Sequence, residues 1–356
     1  MKKEKTNNKK KRKGTAPLII MLILLLIFGG AWAVFSNYYN LSNYVVDKDI
    51  KGRVNSYYDD EGNGLNAEEE QQMLIEAEKA SGEFDVLRDK NVYNILLIGV
   101  DRRNKSWTGN SDTMIVMSIN YKTKKMHMIS FMRDMYADID GYGVRKLNAA
   151  CAVGGGPKLV ETIEKNYKIG INNYASVDFE GMAKIVDYVG GVELTLSEAE
   201  VRSANDMVRT MCQEQNEPAE SHILPGEGTY NCDGFQAVAY ARIRSVGNSD
   251  WQRTERQRTV LTKIIGKIKA LNFTELNSFV RKVLPLVTHN IESTDMLKLV
   301  SKVPVVLTSY ELGKSRVPYD GLYTIQSEIL YPDMKATIQR LQSTILGTEI
   351  ADWEEK

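Results

Sequence analysis

The stretch that most limits what this chain can become is residues 94–101. There Ile95, Leu96, Leu97 and Ile98 make a short apolar run closed by Gly99 and Asp101. Such a run reads as a buried strand. Residues 114–120 read as a second strand, with Asp112 just before it. If the two strands are neighbours, Asp101 and Asp112 share one sheet edge and repel each other unless a cation lies between them. Mg²⁺, or Mn²⁺ in its place, suits that position, because it accepts a few carboxylates and completes its shell with water and phosphate oxygens. Removing either acid would then relieve repulsion in the metal-free protein. The alternative is a pair of loop aspartates that cap turns. A third apolar strand, 125–131, runs into Arg133-Asp134, so Arg103 and Arg133 also fall at strand ends. Arginines beside acids at strand ends suit a metal-bridged phosphate or pyrophosphate, since a guanidinium binds phosphate oxygens in pairs. A solvated salt-bridge cluster is the plainer alternative.

With 356 residues the chain can hold one large domain or two. The 46 basic and 46 acidic residues balance, so no global field favours nucleic acid as a partner. The charge is unevenly placed, however. Residues 1–16 form a basic tail, and 17–35 then pass without a charge. That length suits one membrane-spanning helix. Basic residues before it would hold the tail in the cytoplasm and place the rest outside, as a single-pass signal-anchor. A cleaved signal peptide competes, with Ala31-Trp32-Ala33 resembling its cleavage site. Either way the remainder is exported. Three cysteines make neither a disulfide scaffold nor a zinc array, although Cys212 and Cys232 could bridge outside the cell.

Residues 36–90 read as an extracytoplasmic stalk. Within them 67–80 forms an acidic-capped helix with Met73, Leu74 and Ala77 on one face, and its simplest role is a spacer. Mixed α/β patterning begins at 91 and extends to about 350. Gly154, Gly155 and Gly156 precede Pro157 at the start of an expected helix, but no strand and no Lys-Ser/Thr pair makes them a phosphate loop. A strand at 174–179, a helix over 179–189 and a strand at 192–196 follow. Residues 202–231 read as irregular and polar. A helix capped by Asp233 ends in Arg242-Ile243-Arg244, whose two arginines point one way if the segment is extended. Arg253 and Gln257 lie four apart on the face of a long helix that runs to about 271, with Arg256 beside them. So many arginines repel unless an anion gathers them. Beyond 271, helices are expected at 273–288 and 293–301, interrupted by Pro285 and Pro304, then a strand at 322–325 and a last helix from Tyr331 to Leu346.

These stretches resemble the LytR–CpsA–Psr family of bacterial envelope proteins. The resemblance is carried by 94–103, Ser111-Asp112-Thr113-Met114, Arg133-Asp134, 146–150, Val177-Asp178-Phe179, Asp233-Gly234, 240–244 and Arg253 with Arg256-Gln257, in order over 91–271. It implies a three-layer α-β-α sandwich with a central mixed sheet and an apolar pocket for a polyprenyl chain. It also implies transfer of a glycopolymer (wall teichoic acid, capsule or another polysaccharide) from a polyprenyl-pyrophosphate carrier to a peptidoglycan muramic acid hydroxyl, as a phosphodiester. By position, Asp101 and Asp112 would hold Mg²⁺. Arg103, Arg133, Arg242, Arg244, Arg253 and Gln257 would bind the pyrophosphate, with Lys146 at the rim. Arg103, Arg133, Arg242 and Arg244, together with Asp134, would carry the chemical step, with Asp134 and Asp101 both candidate bases. Asn110, Met132 and Trp251 depart from the residues usual in the family. No covalent nucleophile is apparent, which favours direct in-line attack. Two other functions fit the same residues. One is hydrolysis of polyprenyl pyrophosphate. The other is an envelope-lipid-binding regulator or transcriptional attenuator without turnover.

Overall fold

The structure is a computed structural model that describes residues 35–50, 67–101, 108–326 and 328–348. It divides into two units, 1–41 and 42–356. In the first, residues 35–39 are helical. The expected basic tail and almost all of the expected span lie outside the described residues, as does Arg103. Among the described residues, no helix is long and apolar enough to cross a membrane.

The second unit is built on a seven-stranded mixed sheet of order β1-β10-β7-β2-β3-β4-β11. These are Asn43–Tyr44, Thr288–His289, Asn173–Asp178, Val92–Asp101, Asn110–Asn120, Lys125–Phe131 and Glu311–Val317. β2, β3 and β4 pair antiparallel, whereas β7 joins β2 and β11 joins β4 in parallel. Alternation along β2 sorts its side chains between two faces. Leu96, Ile98 and Val100 meet Met114 and Val116 of β3 in a core closed by α1 (Ala67–Ser81), α2 (Ala149–Tyr167) and α9 (Met334–Leu346). Ile95 and Leu97 face the other way, with Ile115, Met117 and Met128, toward α6 (Ser249–Ala270) and α8 (Ser293–Ser309). Helices α3 (Phe179–Tyr188), α4 (Glu198–Gln215), α5 (Gly234–Arg242) and α7 (Phe273–Val283) share a further core with α6 and with the hairpin β8–β9 (Val192–Leu196, Gly228–Cys232). The hairpins β5–β6 (Tyr136–Ile139, Gly143–Lys146) and β12–β13 (Tyr323–Gln326, Ile329–Pro332) stand beside the sheet.

Several local expectations give way to tertiary packing. α1 is no spacer: Met73 and Ala77 are buried in the sheet core, and Glu70 accepts the Val144 N–H at 2.9 Å. The segment expected to be irregular after residue 202 is largely α4. A capping box between Ser197 and Glu200 starts this helix, and Val201, Ala204, Val208 and Met211 line its buried side. Its apolar residues are outnumbered by polar ones, which hides the stripe. The strand β11 also escaped the sequence pattern, because a sheet edge tolerates its charged residues. Pro304 lies inside α8 and does not end it. The glycines before Pro157 serve packing. Gly155 has φ of +64°, and a Cβ on Gly156 would lie 2.4 Å from the Tyr174 ring. Cys151, Cys212 and Cys232 are separate, buried thiols.

Candidate functional site

The site forms where β2 ends and β3 begins. Their ladder pairs Gly99 with Thr113 and Val100 with Ser111, so Asp112 is the extra residue of a β-bulge. A bulge re-aims the side chain it carries. Here it turns the Asp112 carboxylate into a ring of arginines. Its Oδ1 lies 3.1 Å from Arg133 Nη1, 3.3 Å from Arg244 Nη2 and 3.6 Å from Arg253 Nη1. Asp250 faces the same guanidiniums from the far side. Its Oδ1 is 2.9 Å from Arg253 Nη2 and 3.8 Å from both Arg133 Nε and Arg244 Nε. Three guanidiniums are thus held between two carboxylate oxygens.

Each arginine is placed by a different element. Arg133 follows β4, where Met132 is buried and its N–H donates to Val317 O at 3.0 Å. Arg253 is one turn into α6 and 3% exposed at its side chain. Arg244 follows α5 on a turn fixed by Arg256, which donates to the carbonyls of Ile243 and Val246 at 3.2 Å each and pairs with Glu200 at 2.9 Å. Arg256 is therefore a buried strut for the Arg244 loop. Burial alone would raise the Asp112 pKa. Arg253, Arg133 and Arg244 outweigh that and hold it below the usual carboxylate value. Burial likewise works against the Arg133 charge, but Asp134, Asp112 and Asp250 raise its pKa above the ordinary value. At Arg253 burial prevails and the pKa is lowered.

The remaining candidates extend the ring in two directions. Toward the acid side, Asp134 Oδ2 is 3.5 Å from Arg133 Nε and its Oδ1 is 3.5 Å from Lys146 Nζ. Lys146 also meets Glu328 at 3.2 Å, at the tip of the β12–β13 hairpin. Toward the other side, Gln257 donates its side-chain amide to Asp112 O at 3.2 Å. Gln257 and Arg242 are part of the wall of an apolar cavity of about 220 Å³ that is open to solvent. Leu97, Ile115, Val177, Leu261 and Ile264 line its depth, between the sheet and α3, α5 and α6.

Arg242 and Arg244 do not lie on an extended segment. Arg242 ends α5, and Ile243 is its C-cap, with φ of −57° and ψ of 125°. The two side chains part accordingly: Arg242 stacks over the Phe179 ring at 4.0 Å beside the cavity, and Arg244 joins the ring around Asp112. Asp101 ends β2 opposite Asn110, at the same end of the β2–β3 pair as Asp112. The expected mutual repulsion does not dominate at Asp112, because three guanidiniums surround it. Asp250 was missed as a site residue, although its position three before Arg253 in the first turn of a helix was a usable signal.

The donor set expected for a divalent cation, Asp101 and Asp112, is two carboxylates at one sheet end. Among the described residues, no group of three or more His, Cys, Asp or Glu side chains could hold a metal ion. The chemistry fits a cation whose shell is completed by water and phosphate oxygens, as Mg²⁺ prefers, and not an all-protein cage.

Residues 60–344 match the LytR_cpsA_psr family. The chain belongs to this family. It is 35% identical over 243 residues to Biofilm regulatory protein A of Streptococcus mutans, covering 65% of this chain and 56% of that one. To the polyisoprenyl-teichoic acid–peptidoglycan teichoic acid transferase TagU of Oceanobacillus iheyensis it is 31% identical over 237 residues, covering 65% and 66%. The chain thus spans somewhat more than half to about two thirds of the length of these relatives. Its fold matches the family protein YwtF (TagT) solved with bound octaprenyl pyrophosphate lipid, with a TM-score of 0.52 and 24% identity over 74% of this chain and 94% of that one. Against the family pattern, Met132 is buried core and Trp251 packs on the core edge. Asn110 pairs with Asp101 in the ladder.

Proposed function

We propose that this family member transfers a glycopolymer from a polyprenyl-pyrophosphate carrier to peptidoglycan, forming a phosphodiester. One observation carries the proposal: an apolar cavity whose wall includes Arg242, Thr113 and Gln257 adjoins Asp112, around which three guanidiniums gather. A prenyl chain needs the first and a pyrophosphate the second. The guanidiniums are already compensated by Asp112 and Asp250, so they are oriented before an anion arrives and need little reorganisation. The names of the transferase relative and of the lipid-bound structure support the same chemistry.

In the transfer, the acceptor hydroxyl oxygen bonds to the sugar-linked phosphorus. The P–O bond to polyprenyl phosphate breaks, and that phosphate leaves with the electron pair. Asp134, held by Arg133 and Lys146 and not part of the cavity wall, takes the hydroxyl proton. Arg133, Arg244 and Arg253 hold the charge spread over the phosphoryl oxygens. Asp101 and Asp112 would hold Mg²⁺ or Mn²⁺, which when bound neutralises phosphate charge. The function also requires the site to face outward on an anchor at 17–35, with the basic tail in the cytoplasm.

Filling the cavity tests the proposal. Leu261→Trp adds bulk to the open space, so the melting temperature should hold. Turnover of a long-chain prenyl donor should fall at least tenfold, while a donor with a two-isoprene chain is turned over as before. Equal loss on both donors would mean that the cavity does not take the prenyl chain.

A further inference from the structure

We infer that the β12–β13 hairpin, with Tyr323 backed by Trp251, is the subsite for the saccharide ring that supplies the attacking hydroxyl. This deepens the transfer function proposed above and rests on it.

The contacts run in one order. The wall of the apolar cavity includes Gln257 and Arg242 but not Asp134, Lys146, Asp250 or Trp251. Gln257 leads to Asp112, Asp112 to the guanidiniums, and the guanidiniums to Asp134 and Asp250. Trp251 follows Asp250 in the chain, and its ring centroid lies 5.1 Å from that of Tyr323, tilted 41°. In an in-line displacement the attacking oxygen and the leaving oxygen sit on opposite sides of the phosphorus. If the leaving prenyl phosphate points toward the cavity, the incoming hydroxyl comes from the Asp134 side. The groups found there are the hairpin and Trp251.

Their chemistry suits a sugar. A pyranose offers an apolar C–H face and a rim of hydroxyls, so it is bound by an aromatic ring with charged groups at its edge. Arg316 covers one face of Trp251, its Cζ 4.1 Å from the ring, which makes Trp251 the backing. Tyr323 is half-buried. Ile325, two residues on and on the same strand face, is 65% exposed and extends the apolar strip outward. At the hairpin tip Glu328 and Lys146 supply an acceptor and donors 3.2 Å apart. The hairpin is fixed to the reacting segment itself, because Leu330 N donates to Asp134 O at 2.8 Å while Ile329 and Leu330 are buried. The sugar wall and the proposed base therefore move as one piece.

Tyr323→Leu keeps apolar bulk on the hairpin and removes the ring, and Tyr323→Phe restores it. The test uses the full chain in detergent, a prenyl-pyrophosphate disaccharide donor and a soluble peptidoglycan glycan tetrasaccharide as acceptor. Tetrasaccharide binding is also titrated calorimetrically without donor. Tyr323→Leu should raise the acceptor KM and the tetrasaccharide Kd about tenfold, in line with the loss of a stacking contact. The donor KM should stay within about twofold, and Tyr323→Phe should match the parent on all three. A rise in donor KM instead would assign the wall to the donor sugar and overturn the inference, as would three unchanged constants or a parent chain that does not bind the tetrasaccharide. If binding depends on Tyr323 but no adduct forms in the parent, transfer fails and the subsite stands. If Tyr323→Leu makes adduct with an unaltered acceptor KM, the subsite fails and transfer stands.

Discussion

At the scale of residues, Asp112 is the pivot of the site. Its side chain is 14% exposed and its Oδ1 meets three guanidiniums. Removing one partner from a buried ion-pair cluster leaves charge uncompensated, which costs on the order of 3 kcal/mol. Asp112→Asn should therefore lower stability to urea, contrary to the gain expected from relieving a carboxylate pair. The pH dependence follows from the sign of the shift. The Asp112 pKa is depressed in the folded state, so its contribution is present above the unfolded carboxylate pKa of about 3.9 and fades as pH falls through the folded value. The difference in urea midpoint between parent and Asp112→Asn should shrink as pH is lowered below about 4. A constant difference down to acid pH would deny the ion pairing. Arg244 is 41% exposed at its side chain, so Arg244→Lys should leave stability nearly unchanged. It loses the planar fork, however, and turnover should drop about ten- to a hundredfold. Arg202, on the exposed side of α4 with Glu198 at 3.3 Å, is the silent control for the same change. Asp112, Arg133 and Arg253 were legible from sequence because each sits where a strand or helix begins or ends. Asp250 also opens a helix, but its pairing with guanidiniums brought in by β4 and the end of α5 is not local, and so it was overlooked.

At the scale of elements, what could be read was whatever a local period reveals. β2 announces itself by an apolar run and β4 by alternation. α1 shows Met73, Leu74 and Ala77 on one face, yet nothing local says what that face meets. The structure answers that it meets the sheet core. Met73→Ala should accordingly cost about 2–3 kcal/mol in urea denaturation, the usual loss for a buried methionine. A change near zero would return α1 to the role of spacer. α4 was obscured by its polar majority, although its Ser197–Glu200 capping box was visible in the sequence. The Arg242–Arg244 segment was misjudged for another reason. A helix end and an extended turn carry the same residues, and only the buried Arg256 strut decides between them.

At the scale of the whole molecule, function arises from two environments that the chain assembles from distant parts. The cavity draws its wall from β2, β3, β7, α3, α5 and α6, so no stretch of sequence could display it. The guanidinium ring draws on β3, β4 and the ends of α5 and α6. Their adjacency is what the proposed transfer would use to join a lipid carrier to phosphoryl chemistry. The most direct test is the mass of the product formed when the full chain, Mg²⁺, a prenyl-pyrophosphate oligosaccharide and peptidoglycan fragments are mixed. Transfer predicts a fragment heavier by the sugar phosphate, with prenyl phosphate released in equal amount. Free sugar phosphate with unmodified fragments would instead show hydrolysis, and an unchanged donor would show binding without turnover; either result would contradict transfer.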